Sequence, residues 1–301
     1  MKPVFPNQRE REPGFKPVST DVPHQPKNAT TMNATIGHLA AMPPTDRMPV
    51  LFVGHGSPMN AIEENPFSLT WQQLGRELPT PRAILCVSAH WETPDTRVTV
   101  SAAPPTIHDF GGFPKALFEV QYPAPGSPEL AYEVKRSVEQ AEVALDTRWG
   151  LDHGAWSIIR HMYPQANIPV VEMSLSYRLT PQQHYELARE LAALRHRGVL
   201  VIGSGNLVHN LRLMDWGKPD LGFDWAMQAN DTLKQLIVEG RHAELASYAT
   251  LGPEVQLAVP TPDHFLPLLY ALALKEQDEP LSFFNDSPVM GSLTMTSVRI
   301  G

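Results

Sequence analysis

Cysteine is almost missing from this chain: Cys86 is the single thiol among 301 residues. One thiol cannot make a disulfide framework, and it excludes a zinc site built on cysteine clusters. Long apolar runs are missing too, since none approaches the roughly 18–20 residues of a membrane span. The opening MKPVFPNQREREPGFKPV has no apolar core of about 7–15 residues, so it does not read as a secretory signal. Positive charge is not in excess: 24 basic against 32 acidic side chains give −8. That balance argues against a nucleic-acid or anionic-membrane surface. The sequence reads as a soluble, cytoplasmic protein of a reducing compartment, with no nucleic-acid or membrane partner. Several catalytic signatures are absent as well. There is no HExxH zincin helix, no GxxxxGK[ST] phosphate loop and no GxSxG nucleophile elbow, and Gly203-Ser204-Gly205-Asn206 does not continue into GxGxxG.

What is present is apolar material for a core, at 42% hydrophobic residues, together with 30 prolines and 12 histidines. Residues 1–48 hold eight of the prolines and carry six basic and four acidic side chains, so the remainder of the chain stands at −10. Without apolar periodicity this segment cannot offset its ordering entropy. Residues 1–47 therefore read as a flexible extension and 48–301 as one domain. Apolar runs at 49–53, 82–89, 97–101, 168–175 and 198–203 predict strands. The alternating 293–300 predicts an edge or antiparallel strand. Helical patterns fall at 129–141, 155–163, 181–195, 225–238 and 264–274. Strands alternating with helices predict a single α/β domain, its mixed and mostly parallel sheet covered by helices on both faces. A monomer is the expected state, because no apolar stripe is left over.

The histidines carry the chemistry. His55 in PVLFVGHGSP and His90 in ILCVSAHW sit where predicted strands stop, and His209 in VLVIGSGNLVHN follows a third. His264 in PTPDHFLPLL stands at an expected helix start, with Thr261 as cap and Pro262 in the first turn. In open α/β sheets, ligands bind outside the carboxyl ends of the strands. One such histidine is ordinarily a surface or satisfied core residue; four at element ends suggest a histidine-based metal site at that edge. His108 in PPTIHDFGGFP and His153 in LDHGAW lie in loops that could overhang it. His161, His184, His196 and His242 lie in polar helical stretches and read as solvated, and Cys86 reads as a small buried hydrophobe.

HGSPMN, SAHW, PPTIHDFGGFP, YPAPGSP, DHGAW, GSGNLVHNLR, TPDHFLPLLY and MGSLTMTSVRIG, in this order, resemble the bacterial 4,5-DOPA extradiol dioxygenase family. That family is a branch of the LigB-like class III extradiol ring-cleaving dioxygenases. The resemblance runs from about Met48 to Gly301. It implies a metal at the carboxyl edge of the sheet, with His55, His90 and His264 as ligands. It also implies His209 beside the metal, as acid/base or as a fourth ligand. Class III enzymes usually hold Fe(II) with two histidines and a glutamate, whereas here the third ligand looks like histidine and Asp263 is the carboxylate alongside. One divalent ion per chain is implied. Fe(II) is expected for oxygenation, and an all-histidine set also suits Zn(II). The implied partners are a catechol and O2, and the implied product is a ring-opened semialdehyde. His209 is the first candidate for proton transfer and His153 the second, while His108 is a candidate for gripping the substrate. Two other readings remain, a zinc-dependent hydrolase and a metal-binding protein without catalysis.

Overall fold

The apolar run that opens the domain becomes β1 (Val50–Gly54), and all five of its residues are buried. Successive side chains leave a strand on opposite faces. Val50 and Phe52 join one core, and Leu51 and Val53 join a second. A strand buried on both faces needs apolar residues throughout, which is why the run is continuous rather than alternating. In the computed structural model, which describes residues 43–301, nine further strands follow. They are β2 (Ala83–Thr93), β3 (Thr96–Thr99), β4 (Val143–Asp146), β5 (Val170–Ser176), β6 (Val199–Gly205), β7 (Leu281–Phe284), β8 (Pro288–Val289), β9 (Leu293–Thr294) and β10 (Ser297–Ile300). Eight form one sheet in the order β4-β3-β5-β2-β6-β1-β10-β7. The centre, β5-β2-β6-β1, is parallel; β10 and β7 add antiparallel strands beside β1.

Six helices of eight or more residues are present among the described residues: α1 (Pro66–Glu77), α2 (Pro128–Ser137), α3 (His153–Met162), α4 (Pro181–Arg189), α5 (Asp224–Val238) and α6 (Leu266–Ala273). The core that receives Val50 and Phe52 also receives Leu130, Leu187, Leu233 and Leu268 from α2, α4, α5 and α6. The other core receives Trp71 and Leu74 from α1 and Trp156 and Ile159 from α3. The expected single α/β domain with both sheet faces covered is what forms.

The structure differs from expectation in particulars. Helix α1 and strands β4 and β7 were not anticipated. The signal for α1 was present in Asn65-Pro66-Phe67-Ser68: the Asn65 side chain accepts from the Phe67 and Ser68 amides, and Ser68 Oγ accepts from Asn65 N–H. The helix expected from His264 starts at Leu266, so Thr261 does not cap it; Pro262 instead offers its carbonyl to the amides of Phe265 and Leu266. The expected 293–300 strand is split into β9 and β10; β10 is antiparallel, one of the two expected alternatives, and lies between β1 and β7 rather than at the edge. Cys86 is buried in β2, and burial pushes its thiol up. Leu211, Leu213, Trp216 and Leu221 stand exposed along one segment, an apolar group not expected from the sequence.

His184 is corrected outright. It is fully buried in α4, not solvated. Its Nε2–H donates to the Ser176 carbonyl at 3.1 Å, so Nδ1 accepts from the Tyr270 hydroxyl at 2.9 Å. Burial lowers its pKa to about 4, against about 6.5 in an unfolded chain. The folded state therefore resists a proton that the unfolded state takes up. The stability that His184 contributes is intact above pH 6.5 and declines as pH falls toward 4, by up to about 1.4 kcal/mol per pH unit. Chemical denaturation across that window should show a shallower pH slope for His184→Gln than for the parent chain.

Of the expected extension, residues 1–42 lie outside the described residues. Pro43–Arg47 bind the domain. Thr45 N–H donates to the His196 carbonyl at 2.9 Å, and Arg47 Nε lies 2.9 Å from Glu279. Glu279 is buried against Arg195, whose guanidinium also donates to the Met48 and Leu274 carbonyls. A chain shortened to begin at Pro43 should keep its melting temperature. One beginning at Met48 loses the Arg47 contact and should melt about 2–4 °C lower, the shift for a loss of about 1 kcal/mol in a domain of this size. Differential scanning calorimetry compares the two.

Candidate metal centre

Three strands deliver the first histidines. Strand β1 ends at Gly54, and His55 follows with its amide donating to the Gly205 carbonyl at 3.1 Å. Strand β2 runs past its expected end, and its register with β5 slips between Val87 and Glu92. A break of this kind re-aims side chains, and His90 sits within it. After β6 the chain passes Asn206 to His209, whose amide donates to the Ala258 carbonyl at 2.8 Å. His264 comes from the turn before α6. That turn touches the end of β6 so closely that a Cβ on Gly205 would lie 2.1 Å from the His264 carbonyl oxygen. His153 opens α3, where the preceding Asp152 side chain accepts from the Ala155 amide as the cap.

All five imidazoles gather in one cluster. The rings of His55, His90 and His264, the expected ligands, lie 4.9, 5.2 and 5.0 Å apart between centroids. His153 is 3.9 Å from His90 and 5.5 Å from His55. The His209 ring stacks on His264 at 3.5 Å. Donor atoms of His55, His90 and His153 lie within 4.8 Å of one another, and so do those of His209, Asp263 and His264.

Hydrogen bonds fix which nitrogens face inward. Ser204 Oγ donates to the Gly154 carbonyl at 2.6 Å, so its oxygen accepts from His55 Nδ1–H at 3.0 Å. His55 Nε2 is then a lone pair, and it faces His90 Nε2 at 3.0 Å. Asp109 accepts from the His153 amide at 2.9 Å and from His153 Nδ1 at 2.8 Å, and lies 3.5 Å from His90 Nδ1. Asp263 holds His264 Nδ1 in the same manner. Partners on Nδ1 that leave Nε2 pointing into a common space are the usual outer support of metal-binding histidines. Burial lowers the pKa of His55, His90 and His209, reinforced by the neighbouring imidazoles. Asp263 stays ionised because its bond to His264 outweighs burial. Neutral imidazoles with anionic supports, and two ring nitrogens opposed with one proton at most between them, fit a divalent cation.

The sequence matches, over residues 50–297, the family described as the catalytic LigB subunit of aromatic ring-opening dioxygenase. It is 46% identical over 258 residues to a 4,5-DOPA dioxygenase extradiol of Escherichia coli strain K12, covering 85% of this chain and 95% of that protein. A protein of the same name from Beta vulgaris is 38% identical, with 78% of this chain and 90% of that one covered. A crystal structure of an uncharacterized Escherichia coli K12 protein superposes with a TM-score of 0.75 at 40% identity, over 85% of this chain and 100% of that chain. The chain belongs to the LigB family. It is an extradiol aromatic ring-opening dioxygenase.

In this dioxygenase the histidine group is suited to one metal ion. His108 stands among Phe110, Phe118 and Trp156, with Nε2 bonded to the Val120 carbonyl at 2.9 Å. No helix among the described residues is long and apolar enough to cross a membrane. Sequence reasoning gave no role to Asp109 or Ser204, which orient the imidazoles, or to an acid pair beneath them. Glu172, fully buried on β5, accepts from the Asp152 amide at 2.8 Å and from Trp149 Nε1 at 3.0 Å. Ser88 donates to Asp152 at 2.7 Å. Burial, reinforced by neighbouring acids, raises Asp152 to about 6 and Glu172 well above the carboxylate range. Two acids far apart in sequence thus anchor the turn that presents His153, and a DH dipeptide alone does not reveal that.

Ser204→Ala removes the acceptor that selects the His55 tautomer. Metal affinity should fall about 10–100-fold, the usual cost of losing such a support, measured by competition with a chromogenic chelator.

Proposed function

We propose that this dioxygenase opens the ring of a catechol such as DOPA beside the diol, giving a semialdehyde of the 4,5-seco-DOPA type. The observation that carries this reading is the inward convergence of His55 and His90 Nε2 beside His264, each ring supported from behind, in a chain whose relatives are named for that reaction. His55, His90 and His264 would hold one divalent ion. When bound, Fe(II) supplies a Lewis acid for the catechol oxygens and an electron path to O2, whereas zinc has no redox chemistry.

The chain's own groups supply the proton traffic. His209, kept neutral by burial, has no hydrogen-bond partner on either ring nitrogen among the described residues. It is free to take a proton from a catechol hydroxyl and return it later. His153, backed by Asp109, is the second group for this work. Phe110 meets His153 edge-on, with Phe113, Phe118 and Trp156 behind it. This aromatic wall suits the face of a catechol and excludes water. His108, in the same wall, would lie beside the substrate.

Anaerobic loading with Fe(II), followed by DOPA and then O2, should give O2 uptake and a yellow ring-opened chromophore, with none from the Zn(II)-loaded protein. Metal-dependent hydrolysis without O2 uptake would overturn the assignment, as would metal binding with no turnover on any catechol. His55→Ala and His90→Ala should lose the ion. His209→Ala should keep it while turnover falls roughly 10²–10⁴-fold. An affinity drop equal to that of His55→Ala would make His209 a ligand instead. The same titration on His264→Ala and His153→Ala identifies the third ligand, expected to be His264.

A further inference from the structure

Helix α3 carries His153 at its first position and ends at Met162, about 13 Å further on at 1.5 Å per residue. At that far end an open cleft of about 690 Å³ lies between α1 and the turn after α3. The two helices touch backbone to backbone there: a Cβ on Gly75 would lie 2.0 Å from the Met162 carbonyl oxygen. Arg76 from α1 and Arg160 and His161 from α3 line the cleft, with Tyr163, Gln72 and Asn167. No aspartate or glutamate lines it, in a chain whose net charge is −8.

Neither guanidinium has a carboxylate partner among the described residues. Arg76 is exposed and makes no ion pair, and half-buried Arg160 donates to the Ala61 carbonyl. Tyr163 is 8% exposed, and its hydroxyl has no hydrogen-bond partner among the described residues. The cleft thus offers two planar cationic forks and side-chain amides, with an unpartnered hydroxyl buried in its wall. This donor set matches the oxygens of phosphate and carboxylate groups.

We infer that this cleft is a binding site for a small oxyanionic molecule, a phosphate ester or a dicarboxylate, separate from the metal centre and mechanically linked to it. The link is short. Beside the Arg160 bond to Ala61, His161 Nε2 donates to the Asn60 carbonyl at 2.8 Å, and Asn60 Nδ2 donates to the His55 carbonyl at 3.0 Å. Asn60 and Ala61 belong to the single helical turn Pro58–Ala61 that follows His55. A ligand that engages Arg160 therefore acts on the segment holding a metal-site histidine, and the same helix carries His153 at its other end.

The test is isothermal titration of the metal-loaded full chain with glycerol 3-phosphate and, separately, succinate, at constant ionic strength with glycerol as the neutral control. One probe should bind with one site per chain, and which one does so identifies the ligand class. Arg76→Ala, at an exposed position, should weaken that binding about tenfold or more, the effect of losing one charge-assisted bond. Without anion it should leave ring opening unchanged. The bound anion should shift KM or kcat of the parent and not of Arg76→Ala. No heat from either probe at millimolar concentration would overturn the site. So would binding insensitive to both Arg76→Ala and Arg160→Lys but lost in His55→Ala, which would place the anion at the metal centre. Equal kinetic effects in parent and variant would overturn the link. The titration does not depend on turnover, so its failure is separate from failure of the ring-opening assignment.

Discussion

Five imidazoles share one poorly hydrated space, two of them stacked at 3.5 Å and two with Nε2 atoms 3.0 Å apart. For His55, His90 and His209, burial and the neighbouring imidazoles both oppose protonation. The rest of the site follows from that constraint. Four of the rings have a group behind Nδ1 that orients them: Ser204 behind His55, Asp109 behind His153 and near His90, and Asp263 behind His264. The supports need support in turn: Ser204 is held by the Gly154 carbonyl, and the turn before His153 by buried Glu172. Lone pairs turned inward and acids turned against their backs make a cation the natural occupant.

The sheet makes this crowding possible. Parallel strands β1, β2 and β6 end on the same edge, so residues just beyond or near their ends meet without long excursions of the chain. Both sheet faces are sealed by helices, which keeps the strands in fixed register under the site. The slip in β2 register and the close approach of the His264 turn to Gly205 are local departures from regular pairing. Both lie where histidines must be aimed rather than merely placed.

Helix α3 joins this centre to the other side of the molecule. Its cap, Asp152, is part of the buried acid pair, its first residue is His153, and its last turn touches the cationic cleft. The Pro58–Ala61 turn lies beside that connection, bonded to α3 through the Asn60 and Ala61 carbonyls and to the His55 carbonyl through the Asn60 side chain. A rigid helix and a short turn spanning two sites give a physical route for coupling, which needs differential contact and not distance alone.

The sequence by itself determined the architecture and the edge where chemistry occurs. Continuous apolar runs demand strands buried on both faces, and His55, His90 and His209 follow such runs within a few residues, so their meeting place was legible. His264 was legible as a residue of that edge, although the helix after it starts at Leu266, four residues later than its cap-like Thr261-Pro262 suggests. What only the tertiary structure decided were partnerships between distant residues. Asp109 meets His153, Ser204 meets His55, Glu172 holds Asp152, and His184 is buried beneath Tyr270 in a helix whose sequence looks solvated. Periodicity reports which face of an element is apolar. It does not report which polar side chain on that element finds a partner across the core, because that pairing depends on the relative position of elements far apart in sequence.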